Sequence, residues 1–234
     1  MYKKLYLFLI FCTLSLCIFS QKRKVQNQPY GDHRLHHFGL TVGFNFQDMI
    51  LTNSGFTGEG GETWFCEIPN YNLGFSVGMI SDLFLNPYMN LRVTPTVHFG
   101  DRAFMFKEKE SEELFKTNVR SNYLMLPVDI KFSSRRLNNY RPYFLAGLYA
   151  SMDLGAKKDE PIRLKTRDFG FQVGFGCDFY LPIVKVCPEI RFYFGLSDLI
   201  EKDRSDLTDK TMLKYTDALS KGTSRMVVVT FNFE

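Results

Sequence analysis

Seven charged residues stand where charge is expensive to hide: Arg92, Asp129, Lys131, Asp168, Asp178, Glu189 and Arg191. Each falls on the polar side of a segment that alternates apolar and polar residues, so all seven are set to share one enclosed face. Charges in such a place must pair, because an isolated buried charge costs several kcal/mol or more. The expected chemistry is therefore a structural network of salt bridges and hydrogen bonds. A proton path or a small polar ligand site would use the same residues, and nothing in the sequence selects it.

Other reactive residues lead nowhere further. His33, His36 and His37 cluster without carboxylate or cysteine partners, so no metal site is expected. His98 reads as a satisfied hydrogen-bonding histidine. Ser76 and Ser197 lie on polar faces, yet no strand pairs a serine with a nearby histidine, as a hydrolase would need. There is no phosphate-cradling glycine loop and no nucleophile elbow. No catalytic residue, cofactor or metal is expected. Cys66, Cys177 and Cys187 follow the leader, an odd number without metal spacing. Cys177 and Cys187 take opposite faces, which argues against a bond between them.

The elements that position these residues are strands. In Phe169-Gly-Phe-Gln-Val-Gly-Phe-Gly-Cys-Asp-Phe179 every odd position is Phe, Val or Cys and every even one Gly, Gln or Asp. The same period of two predicts strands over 38–47, 71–80, 88–100, 121–132, 142–153, 169–179, 184–197 and 224–234. Strand 142–153 is ambiguous, with apolar residues on both faces. A soluble lipocalin-like barrel would show the same alternation. A water-facing side, however, should be rich in Lys and Glu. Here the polar faces of strands 38–47, 71–80 and 169–179 carry Gly, Ser, Thr, Asn and Gln, with Asp only near the ends of the third. Small polar residues suit a crowded lumen, which leaves Phe and Val facing lipid.

Connection lengths support that orientation. They run long (48–70), short (81–87), long (101–120), short (133–141), medium (154–166), short (180–183) and long (198–223). Outer-membrane barrels have short periplasmic turns and longer outer loops. The expected fold is all-β: an eight-stranded antiparallel transmembrane up-and-down barrel over 36–234, with both termini periplasmic. Tyr71, Tyr88, Tyr123, Tyr143 and Tyr180, near strand ends, are candidates for interfacial girdles, although tyrosine also favours strands in general. Trp64 and Phe65 in loop 48–70, with Phe104, Phe106 and Phe115 in loop 101–120, are candidate docking residues. They could equally fold over the barrel mouth. A helix-like run crosses 207–219.

Bulk properties agree with export. Leu5 to Phe19 is the one long apolar run, too short to span a membrane as a helix. It follows Lys3 and Lys4, and so reads as a signal peptide over 1–20. A lipobox through Cys17 would need a small residue where Leu16 stands. Loss of Lys3 and Lys4 lowers the net charge from +4 to +2. No basic helix or aromatic RNA motif appears, so nucleic acid is not an expected partner. Residues 21–35 lack periodicity and form a periplasmic lead-in. Eight strands leave room only for side chains, which excludes a diffusion porin.

Several stretches resemble PorT-type barrels, outer-membrane proteins of Bacteroidota with a type IX secretion system. These are His37-Phe38-Gly39, Ser81-Asp82-Leu83-Phe84-Leu85-Asn86, Leu91-Arg92 through Phe99-Gly100-Asp101-Arg102, Tyr123-Leu124-Met125-Leu126-Pro127, and Arg141-Pro142-Tyr143-Phe144-Leu145-Ala146-Gly147. The lead-in Val25-Gln26-Asn27-Gln28-Pro29-Tyr30 completes the likeness, which spans about 25–234. The Tyr-Leu-x-x-Pro and Arg-Pro-Tyr patches are shared with generic barrels. The resemblance implies an accessory role in type IX export and, in gliding species, motility. It also implies other secretion components as partners, besides outer-membrane lipid, and it brings no catalytic residue. The alternative is a stand-alone barrel that binds an extracellular ligand or surface through its loops.

Overall fold

The computed structural model describes residues 26–57, 62–69, 71–108, 114–155, 162–204 and 212–234. The expected signal segment, 1–20, lies outside them. After a single 3-10 turn (Gly31–His33), the chain is almost entirely β. Its strands are β1 (His36–Asn53), β2 (Trp64–Glu67), β3 (Leu73–Asn86), β4 (Met89–Val93), β5 (Thr96–Phe99), β6 (Asp101–Glu108), β7 (Leu114–Arg120), β8 (Tyr123–Ser133), β9 (Tyr140–Asp153), β10 (Arg167–Tyr180), β11 (Lys185–Gly195) and β12 (Leu219–Phe233). One short helix, α1 (Leu213–Asp217), precedes β12.

Nine of these strands close an antiparallel ring of eight staves. The order runs β1, β3, β4 with β5, β8, β9, β10, β11 and β12, and β12 returns to β1 from Leu40↔Phe233 to Asn53↔Leu219. The stave expected over 88–100 is broken into β4 and β5 at Thr94-Pro95, because proline offers no N–H to the ladder. Its carbonyl still accepts from the Met79 amide at 3.0 Å. Closure leaves no strand edge unpaired, as the membrane core requires.

The outer wall carries Phe38, Leu40, Phe44, Phe75, Val77, Leu126, Val128, Phe169, Phe171 and Phe175, all exposed. An apolar belt of that extent belongs in lipid. No described helix is long and apolar enough to cross a membrane, so the crossing is made by strands. In β9 the ambiguity resolves by parity: Arg141, Tyr143, Leu145 and Tyr149 are buried, while Leu148 and Met152 are exposed. The same parity corrects the tyrosine girdle. Tyr71 and Tyr88 are exposed, but Tyr123, Tyr143 and Tyr180 are buried.

The long connections are not loops throughout. β1 runs past Gln47 to Asn53, because β12 begins at Leu219 and pairs with it there. Segment 101–120 forms a hairpin of β6 and β7, and β2 joins its edge in a separate three-stranded sheet. Of the helix-like run expected over 207–219, α1 covers only Leu213–Asp217, and 207–211 lies outside the described residues.

Candidate functional site

Inside the barrel, the seven expected charges are all buried. Six of them belong to one ion-pair network. Arg92, fully enclosed, donates from Nε and Nη2 to Asp82 Oδ2 at 2.9 and 2.8 Å, and reaches Glu234 at 2.6 Å and Glu189 at 3.4 Å. Lys131 holds both oxygens of Asp178 at 2.9 and 2.8 Å. Arg191 pairs with Glu189, and with Asp129 at 3.3 Å. Gln172 donates to Asp129, and the Tyr143 hydroxyl donates to Glu189 at 2.7 Å. Asp168 stands apart. It accepts from Ser224 and from Tyr149 at 3.3 Å, and among the described residues no cation pairs with it.

Four partners were missing from the sequence reading: Asp82, Tyr143, Lys185 and Glu234. Asp82 had been placed in a short connection, whereas β3 extends through it to Asn86. Glu234 follows β12 at the barrel end, where Lys185 pairs with it. Glycines make room for this packing. At Gly147 an added Cβ would meet the Val128 carbonyl and the Asp129 carboxylate, and at Gly176 it would strike the Tyr143 ring. Small residues opposite large ones let the lumen fill completely.

A serine–histidine contact also forms, contrary to the expectation that no serine had a histidine near it. Ser76 on β3 sits across the ladder from His98 on β5, with Oγ 2.7 Å from Nδ1. The pairing runs between strands, so inspection of single strands missed it. Asn45 donates to Ser76 at 2.9 Å, and His98 Nε2 has no hydrogen-bond partner among the described residues. Both side chains are about 1% exposed. Without an orienting acid or access, the pair packs the lumen.

Above the lumen, at the long-loop end, lies a second core. Trp64, Cys66, Phe104, Phe106 and Val119 from the small sheet pack with Met49, Ile162, Leu164, Leu199, Ile200, Tyr215, Ala218 and Leu219. The expected docking aromatics are thus placed differently. Trp64, Phe104 and Phe106 are at most 3% exposed, while Phe65 and Phe115 are half-buried. Their rings meet one another instead of solvent: Tyr215 stacks on Phe115 at 4.4 Å and stands edge-on to Trp64 at 5.2 Å. Lys214 lies 4.8 Å over Trp64 and pairs with Glu62 at 3.2 Å. The hydrogen bond from Trp64 and the pairing with Lys214 hold the Glu62 carboxyl below its ordinary range. Burial pushes the Cys66 thiol up to about 12, so it stays protonated and unreactive.

The opposite end is closed by the lead-in. Asp32 receives the Tyr180 hydroxyl and pairs with Arg136 and Arg141 at 3.4 Å each. Asn27 donates to the Tyr180 carbonyl at 3.0 Å, and Arg136 lies 3.6 Å over the Tyr180 ring. Among the described residues no group of histidine, cysteine and carboxylate side chains converges as a metal site.

The family model for the outer membrane protein beta-barrel domain matches residues 19–201, well over half of the 234. The chain belongs to that family. As an outer-membrane barrel, it sits in lipid with the apolar belt against the acyl chains. No curated protein sequence matches it. Among solved structures it is similar to the outer membrane protein OprG from Pseudomonas aeruginosa, at 10% identity and a TM-score of 0.46, covering 91% of this chain and 98% of that one. It is also similar to Neisserial surface protein A, at 11% identity and 0.42, covering 84% and 97%. A third is Ail, the attachment invasion locus protein of Yersinia pestis, at 10% and 0.35, covering 86% and 99%.

Proposed function

We propose that this outer-membrane barrel is an accessory component of type IX protein export, acting in translocon assembly or scaffolding and, in gliding species, in motility. The observation that carries the reading is the filled lumen. Arg92, Asp129, Lys131, Asp178, Glu189 and Arg191 leave no passage for cargo, so any role in export belongs to the barrel's surfaces. The PorT-like stretches then supply the direction, with other secretion components as partners. We assign the barrel no catalytic role, since its one serine–histidine pair is enclosed. In a clean deletion strain, mass spectrometry of supernatant and cells is expected to find type IX cargo held in the periplasm. An unchanged secretome would remove the proposal.

One observation favours a second reading. The long-loop end folds around its own aromatic core, a rigid platform of the kind that presents a binding surface. A stand-alone barrel that binds a ligand or surface there would leave secretion normal on deletion and alter adhesion.

A further inference from the structure

The outer wall changes character abruptly at the long-loop end. On β12 the outward positions Phe233, Phe231, Val229 and Val227 give way to Arg225, Thr223 and Lys221. On β10 the outward run Phe175, Val173, Phe171, Phe169 ends at Arg167, which is exposed. Below β7, Leu126 and Leu124 of β8 lead up through Asn122 to exposed Arg120. In each case the arginine stands just above the last apolar residue of its stave. That is the level at which acyl chains meet headgroups.

Two clefts lie on this boundary. One, about 610 Å³, has walls of Phe46, Phe192, Phe194 and Val227, with Tyr71, Asp48 and Arg225 also lining it. The other, about 400 Å³, is lined by Leu73, Phe75 and Phe99, with Asn122, Asp101 and Arg120. Both join an apolar wall to an arginine. Arg225 gives Nε and Nη2 to Asp48 Oδ2, which leaves Nη1 outside that pair. Arg120 reaches Asp101 only at 3.9 Å with both side chains more than half exposed, a weak hold that an anion can replace. Arginine's planar fork matches phosphate oxygens in pairs.

We propose that these clefts form a lateral binding site for a phosphorylated lipid of the outer leaflet. Acyl chains lie along Phe46, Phe192 and Phe194 and along Phe75 and Phe99. The headgroup phosphates are held by Arg225 and Arg120, with Arg167 completing the cationic rim. The site needs only the membrane-embedded barrel and is independent of any role in export.

The test uses the full mature chain, refolded and loaded with bis-phosphorylated lipid A, then examined by native mass spectrometry. Retained shift on unheated gels verifies the fold. Wild type is expected to keep the phosphorylated lipid, and to keep at least tenfold less of the same lipid stripped of phosphate. The variant R120Q/R167Q/R225Q is expected to lose retention by at least tenfold. Excess inorganic phosphate should displace little, because the acyl chains carry part of the binding. Complete displacement by inorganic phosphate would make this an anion site and overturn the lipid assignment. Equal retention with and without phosphate, or by the variant, would also overturn it. If loss of Arg225 prevents folding by stranding Asp48, R120Q/R167Q decides the matter. It is expected to lose retention severalfold, and unchanged retention contradicts the proposal.

Discussion

The two interiors of this molecule are opposites. Within the membrane the wall is apolar outside and polar inside, and the lumen is stitched by ion pairs around Arg92, Lys131 and Arg191. Beyond the membrane, the interior is the aromatic core of Trp64, Phe104, Phe106 and Tyr215. A single run of chain shows the changeover. Thr96, His98, Gly100 and Arg102 face inward on β5 and into β6, followed in the same parity by Phe104 and Phe106. The outward partners change from Val97 and Phe99 to Asp101 and Lys107. The binary pattern inverts where the strand leaves lipid. Lipid already solvates the apolar outside, so the lumen is free to be polar provided its charges are paired. Water around the cap restores the ordinary rule of an apolar interior.

The largest expected effect lies in the lumen. Arg92→Ala strips Asp82, Glu189 and Glu234 of their shared cation, and breaking a buried pair costs about 3–5 kcal/mol. Urea unfolding of the barrel in vesicles should show that loss, and adding Asp82→Asn should recover part of it. Phe106→Ala opens a cavity at a fully buried position, for a similar cost of about 3–5 kcal/mol. Here the damage should stay local. Limited proteolysis is expected to cut β6 and β7 while the barrel keeps its gel shift. If both fail together, the two interiors are one cooperative unit.

Cys66 reports the same distinction without unfolding anything. Its buried, protonated thiol should resist maleimide at pH 8 in wild type and react readily in Phe106→Ala. A smaller effect follows from Lys214→Met, which removes a cation over Trp64 and the partner of Glu62; about 0.5–2 kcal/mol of cap stability should go. The smallest concerns pH. Glu62 is held below its ordinary range in the folded cap, so its contribution is present above the unfolded value and fades as pH falls through the folded one. Glu62→Gln should abolish that acid-side dependence of cap proteolysis. A dependence that persists would assign it to another group.

Much of the wall was legible because period two is unambiguous wherever one face meets lipid. The burial of Arg92, Asp129, Lys131, Asp168, Asp178, Glu189 and Arg191 followed from parity alone. What parity withheld was pairing between strands: Ser76 with His98, Tyr143 with Glu189 and Arg92 with Glu234 all depend on register and closure. The cap was missed for a different reason. Alternation continued through Arg102, Phe104 and Phe106, but the reading stopped at Gly100, where the face pattern changed sign. An inverted alternation marks a strand that has left the membrane, and that signal was available in the residues themselves.

The most direct test of the central claim, that the lumen is a closed ion-paired interior, is single-channel recording of the refolded barrel in a planar bilayer. Among the described residues the cavity around Arg102, Tyr149 and Asp168 holds only about 10 Å³, scarcely room for a water. A silent membrane, with no steps up to high voltage, is the predicted result. Reproducible conductance steps in the wild-type protein would contradict it and return the barrel to the conducting class.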